Sequence, residues 1–254
     1  MGNFATARLS ALILVLSWTG AQAAETPLPP RAGYTFYVQG QRVGRCDVRI
    51  TQTDTALRFE STLRVENGSA VIELSTKAEA DPRTYALRSF SYEGTKGGMP
   101  ATASVTVAGD SVFGHFSLNG PRKAQRRSVN PRPVVVWEDW AMEIEILLAL
   151  QQAREFKNPS TRALLLAGSF TSTVVTLGFT GEAVVESADR SMTARKLVVG
   201  IEGGDPFESL IDPKLGVPVY IHFPGIRAEA FLDDFFGDNP SPRYSPATDT
   251  SSGR

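Results

Sequence analysis

The chain has 254 residues, 26 basic and 27 acidic side chains, two histidines and a single cysteine. The near-neutral balance argues against a dedicated nucleic-acid binder, which needs a basic surface. A lone cysteine rules out an internal disulfide framework, so stability has to come from a packed core.

The N-terminus, "MGNFATARLSALILVLSWTGAQAAETPLPP", carries one positive side chain, Arg8, an apolar run from Leu9 to Trp18, and the small-x-small site "AQA" ending at Ala23. That layout predicts a secretory signal peptide over residues 1–23. Its apolar run is shorter than the roughly 20 residues that span a bilayer, and no later stretch is long enough. No cysteine follows the cleavage site, so no lipoprotein attachment signal is present. The expected location is the periplasm or the exterior.

From Tyr34 onward the pattern is strand-like. "LRFESTLRVE" places Leu57, Phe59, Leu63 and Val65 on one face and Arg58, Glu60, Arg64 and Glu66 on the other. This period of two marks a half-buried antiparallel strand. "NGS" at Asn67 reads as a hairpin turn, and "AVIELSTKAEA" continues the alternation until Asp81 breaks it. A further strand, "YALRSFSYEG", and a hairpin, "ATASVTV" to "VFGHFSLNG", lead to a basic, proline-punctuated segment, "PRKAQRRSVNPRPVVV", read as a loop.

One segment departs from this pattern. In "WEDWAMEIEILLALQQAREF", Trp137, Trp140, Ala141, Ile144, Leu147 and Leu148 recur at helical spacing. They predict an amphipathic helix over about 139–156, with Asp139 as a capping residue. Strand patterns resume after it. The chain closes in "GDNPSPRYSPATDTSSGR", poor in apolar residues and read as a disordered tail over 237–254.

Strands spaced about 8 to 12 residues apart favour a sandwich or barrel. The expectation is a single mainly β domain over 24–236. In it a curved antiparallel sheet forms an open or closed β barrel, and the one helix covers or plugs it. The helix admits three roles: plain core packing, a lid over an apolar cavity, or a membrane-surface element. Its acidic polar residues count against the last.

"YTFYVQGQRVGRCDVRI" near the start has a G-x-x-x-G turn, Gly40 to Gly44, and "FESLIDPKLGVPVYIHFPG" near the end has an Asp-Pro-x-x-Gly-x-Pro turn, Asp212 to Pro218. With these turns the chain resembles a family of uncharacterised bacterial periplasmic β proteins, a domain of unknown function. That family is similar in outline to the half-barrel proteins that carry lipoproteins. The resemblance implies an open barrel with helical cover and apolar ligand binding. It transfers no catalytic residue.

Signals for chemistry are sparse. His115 and His222 both sit in strand patterns with no third metal ligand spaced nearby, and Cys46 has no histidine close in sequence. The doublets Glu138–Asp139 and Asp233–Asp234 read as solvated or capping residues; on a regular strand the second pair would point to opposite faces. No nucleophile elbow, P-loop or zinc-protease motif is present, and no catalytic residue, metal or cofactor is expected.

The candidate cavity residues are therefore Trp137, Trp140, Ile144, Leu147 and Leu148. The candidate surface-docking residues are Arg122, Lys123, Arg126, Arg127 and Arg132, for an acidic envelope partner or anionic headgroups. The leading expectation is a non-enzymatic exported protein that binds an apolar, lipid-like ligand in a half barrel. The alternatives are an envelope scaffold or interaction module with a solid core, then a hydrolase of unknown substrate.

Overall fold

Along the third strand, burial alternates residue by residue: Leu57, Phe59, Ser61, Leu63 and Val65 point inward and their neighbours outward. The same rule builds the sheet in this computed structural model, which describes residues 27–121, 123–128, 134–138, 140–154, 158–167, 171–237 and 243–246. The signal-peptide segment, 1–23, lies outside the described residues.

In chain order the strands are β1 (Arg31–Val38), β2 (Gln41–Gln52), β3 (Leu57–Asn67), β4 (Ala70–Ala80), β5 (Leu87–Lys96), β6 (Met99–Ala108), β7 (Ser111–Leu118), β8 (Lys123–Ser128) and β9 (Val134–Trp137). Helix α1 (Met142–Arg154) follows. After it come β10 (Ser160–Leu166), β11 (Thr171–Glu186), β12 (Ser191–Ile201), β13 (Phe207–Ile211), β14 (Pro218–Phe223), β15 (Ala228–Leu232), the single turn α2 (Asp233–Phe236) and β16 (Arg243–Pro246).

These strands make one continuous, unclosed sheet in the order 8-7-6-5-4-3-2-1-15-14-13-12-11-10-9. The two strand blocks on either side of α1 are therefore halves of one sheet. They join where β1 pairs with β15, Tyr34 opposite Leu232 and Val38 opposite Ala228. All neighbours on this path are antiparallel except β9 and β10, which run parallel because α1 is the crossover between them.

The sheet curls until its β9 edge lies against β5. Lys96 of β5 forms an ion pair there with Glu138, just after β9. Helix α1 fills the enclosed space, touching β2, β3, β9, β11 and β14. Every residue from Met142 to Gln152 is buried. The barrel is open in its hydrogen bonding and plugged by its helix.

Two expectations for this region change. The helix begins at Met142, after both tryptophans. Trp137 ends β9, and Trp140 has φ +66°, a left-handed conformation that cannot continue a helix. Asp139, the expected cap, is outside the described residues. The basic segment is also not wholly loop, since 123–128 form the edge strand β8. Charged residues on an exposed edge discourage pairing with another chain. In the tail, 243–246 pair with the second half of β11 instead of lying free, and residues 238–242 and 247–254 are outside the described residues.

Local chemistry explains the turns. Gly40 (φ +77°) sits in the β1–β2 turn, where the left-handed region favours glycine. Gly44 has a different role. A Cβ there would stand 2.2 Å from the Arg64 carbonyl oxygen, at the register shift between β1 and β2. Asp212 Oδ1 accepts from the amides of Lys214 (2.7 Å) and Leu215 (3.2 Å), and the Gly216 amide bonds the Asp212 carbonyl.

The β4–β5 turn, "DPRTY", has the same geometry. Asp81 Oδ1 accepts from Arg83 and Thr84, and Tyr85 holds the left-handed position at φ +57°. Both turns receive the C-terminal half of α1. Gln151 Nε2 donates to the Tyr85 carbonyl at 2.7 Å, and a Cβ on Gly216 would lie 3.1 Å from Leu150. The second half of the sheet thus repeats a turn of the first. Only the Asp-Pro pair is shared in sequence.

Candidate functional site

At the N-terminal end of α1, a cavity of about 230 Å³ is lined by Phe36 of β1, Trp137 of β9, Trp140, Met142 and Glu145 of α1, and Phe223 of β14, with Glu138, Ala141 and Ile226 completing it. The Phe36 and Trp140 rings meet edge-on at 5.0 Å, and Trp137 and Phe223 at 6.5 Å. Phe207 backs the second pair, 5.3 Å from Trp137 and 5.0 Å from Phe223. Ile226, 59% exposed, marks the solvent side. The volume exceeds the ~150 Å³ of a dry cavity that takes benzene. It falls short of the roughly 300 Å³ at which drug-sized pockets begin.

The polar lining is acidic. Glu145 is 5% exposed, and no described residue gives it a hydrogen bond or an ion pair. Burial alone pushes its carboxyl up to about 8, so it is largely neutral at pH 7. Glu138 is buried and paired with Lys96. Trp140 is a bulky residue held at positive φ, a costly conformation that persists only where surrounding contacts enforce it.

Two residues along the helix, Glu143 has a different environment. It is fully buried and faces the polar pair on the concave side, Ser61 of β3 and Thr76 of β4. Ser61 Oγ donates to Glu143 Oε2 at 3.0 Å, Thr76 Oγ1 donates to Oε1, and the two hydroxyl oxygens are 2.6 Å apart. Burial raises the Glu143 carboxyl, opposed by these hydrogen bonds.

Of the five cavity candidates, Trp137 and Trp140 line the cavity. Ile144, Leu147 and Leu148 do not; they are packed into the core. A helix plugging a curled sheet is covered on all sides, so only its first turns reach an opening. Phe36, Phe223, Met142 and Glu145 were not singled out from the sequence. Ser61 and Thr76 did leave a signal, as polar residues interrupting otherwise apolar inward positions.

Among the docking candidates, Arg126 and Arg127 are exposed on β8, and Arg126 lies over the Phe113 ring at 5.1 Å. Lys123 begins that strand, while Arg122 and Arg132 lie outside the described residues. His115 is on β7 and His222 on β14, far apart in the sheet order. Cys46 is buried under α1, where burial first and the Glu143 charge second push its thiol up, away from reactivity. Among the described residues no group of three or more His, Cys, Asp or Glu is placed to hold a metal.

A larger groove of about 660 Å³ runs along β1 to β4 and is lined by Arg45, Asp47, Glu60, Lys77, Asp233 and Asp234, among others. The two aspartates share it because β15 ends at Leu232 and both begin α2, where the strand alternation no longer applies. Asp233 accepts from Thr35 Oγ1 at 2.6 Å and pairs with Arg45 at 3.2 Å. Its charges are mixed and partly exposed, a surface ladder of individually weak pairs.

No protein-family model matches the chain, and no curated protein is similar to it. Among solved structures, it is similar to a protein of the DUF1089 family from Pseudomonas aeruginosa. Identity is 14%, coverage is 71% of this chain and 90% of that one, and the TM-score is 0.42. Among the described residues no helix is long and apolar enough to cross a membrane.

Proposed function

We propose that this chain is an exported, non-enzymatic protein of the bacterial envelope that holds a small apolar ligand, or one end of a longer lipid-like one, at the head of its enclosed helix. The observation behind this reading is the cavity where Phe36, Trp137, Trp140 and Phe223 converge from three separate segments, β1, the end of β9 with its connection to α1, and β14. Ligand pockets are concave and mostly apolar, with a few placed polar groups. Here those groups are carboxyls. Export is supported by the charged start, apolar run and "AQA" site of residues 1–23.

The test is organic extraction of protein purified from the envelope fraction, with mass spectrometry for co-purifying apolar compounds. A single enriched species, lost in Trp140→Ala, supports the reading. Absence of any such species, together with no shift of the unfolding midpoint by short-chain alcohols or amphiphiles, would refute it.

A scaffold role draws on a different observation. Below the cavity, α1 is packed without a continuing channel, since Ile144, Leu147 and Leu148 are all buried in the core. On that reading the basic edge strand β8 is the working surface. Pull-down from envelope extract with Arg126→Glu/Arg127→Glu as control separates it from ligand binding.

A further inference from the structure

We infer that the cavity at the head of α1 is a site for an alkylated ammonium group, with the aromatic rings enclosing the cation and Glu145 as its counter-charge. This deepens the apolar-ligand reading and rests on it. Three observations converge. Among the described residues the charged groups lining the cavity are Glu138 and Glu145, and no lysine or arginine lines it. Lys96 reaches Glu138 from β5, and Glu145 has no partner among the described residues although it is 5% exposed. The rest of the wall is four aromatic rings, Phe36, Trp137, Trp140 and Phe223, with the apolar side chains of Ala141, Met142 and Ile226. The faces of Trp and Phe carry the negative part of the ring quadrupole and attract cations within about 6 Å.

An anionic ligand would meet two carboxyls and, among the described residues, no lysine or arginine in the wall. A neutral apolar ligand would fit the rings but leave Glu145 unused. A cation uses both. In the empty site burial keeps Glu145 protonated up to about pH 8, so a permanent cation that pairs with its carboxylate displaces a proton. Below that pH, affinity for such a cation should rise with pH by up to tenfold per unit and then level off.

The surrounding titratable groups do not mimic this. Glu138 is paired with Lys96, and Glu143 on the same helix is bound to Ser61 and Thr76. Cys46 on β2 and Tyr34 on β1 are both raised by burial, away from the working range. On β14, Tyr220 and His222 alternate with Phe223 and Ile221, and Tyr220 donates instead to Glu229.

The test compares three probes of matched chain length: hexyltrimethylammonium, hexan-1-ol and hexanoate. Binding to the full chain is followed by tryptophan fluorescence and calorimetry between pH 6 and 9. The expected result is a preference of about tenfold or more for the ammonium at pH 8, proton release on binding at pH 7, and loss of both in Glu145→Gln. That variant replaces a protonated carboxyl by a near-isostere and should still bind hexanol. Sedimentation with phosphatidylcholine vesicles, abolished by Glu145→Gln, would assign the ammonium to a lipid headgroup; binding of the free probe without vesicle association would assign it to a free amine. Hexanol or hexanoate binding as tightly as the ammonium would overturn the inference while leaving the apolar pocket standing. Failure of all three probes would remove the pocket reading itself.

Discussion

Ser61 Oγ donates to Glu143 Oε2 at 3.0 Å, joining the concave face of β3 to the plugging helix across 82 residues of sequence. With Thr76 on the next strand it places the buried carboxyl group in a prepared polar niche. Removing one member leaves the others buried and under-satisfied. Ser61→Ala or Thr76→Ala should each cost about 1–3 kcal/mol by denaturant midpoint. The triple variant Ser61→Ala/Thr76→Val/Glu143→Leu should be less destabilised than the two single-variant losses added together.

Stability should fall as pH rises from about 5 to about 8. The folded chain holds the Glu145 proton up to about pH 8, whereas an unfolded glutamate releases it near pH 4.3. Between those values the native state binds more protons than the unfolded state. Each pH unit therefore removes up to about 1.4 kcal/mol from this group. Glu145→Gln should flatten the profile and be the more stable protein at pH 8. A profile for Glu145→Gln parallel to wild type would show that Glu145 ionises freely in the fold.

Leu147, 2% exposed, packs in the core and not in the cavity wall. Leu147→Ala should cost about 2–5 kcal/mol. A small apolar ligand should raise the midpoints of wild type and Leu147→Ala by the same amount, because the ligand and the deleted methyl groups occupy different places. Selective rescue of the variant would place Leu147 in the ligand site.

The two glycines of the G-x-x-x-G segment should behave differently. Gly40→Ala meets no neighbour within 4 Å and should cost about 1–2 kcal/mol for its left-handed backbone. Gly44→Ala would drive a Cβ to 2.2 Å from the Arg64 carbonyl and should cost more, by separating β2 from β3. Thermal unfolding of both variants checks the order.

Protein recovered from the envelope fraction should begin near Ala24. Intact-mass measurement decides this, and retention of Met1 to Ala23 would remove the support for export.

What the sequence settles by itself is local. Alternation in β3, and the Asp-Pro turns at Asp81 and Asp212, are readable because a period of two or an aspartate bonding amides two and three residues ahead needs only near neighbours. The single central helix is readable from its spacing but its start is not: Trp137 and Trp140 fit helical periodicity but belong to a strand and a left-handed turn. Residues that serve two partners cannot be told apart by pattern alone. The tertiary structure decided everything that depends on distant segments meeting. It set the β1–β15 junction in mid-sheet, the β9 edge lying on β5, and the burial of Glu143 and Glu145 on a helix whose acidic residues suggested a water-facing arc. It also brought Phe36 and Phe223 to the same cavity, 187 positions apart in the chain. The physical reason is that curling the sheet determines which surface remains in water, and curling is a property of all the strands together.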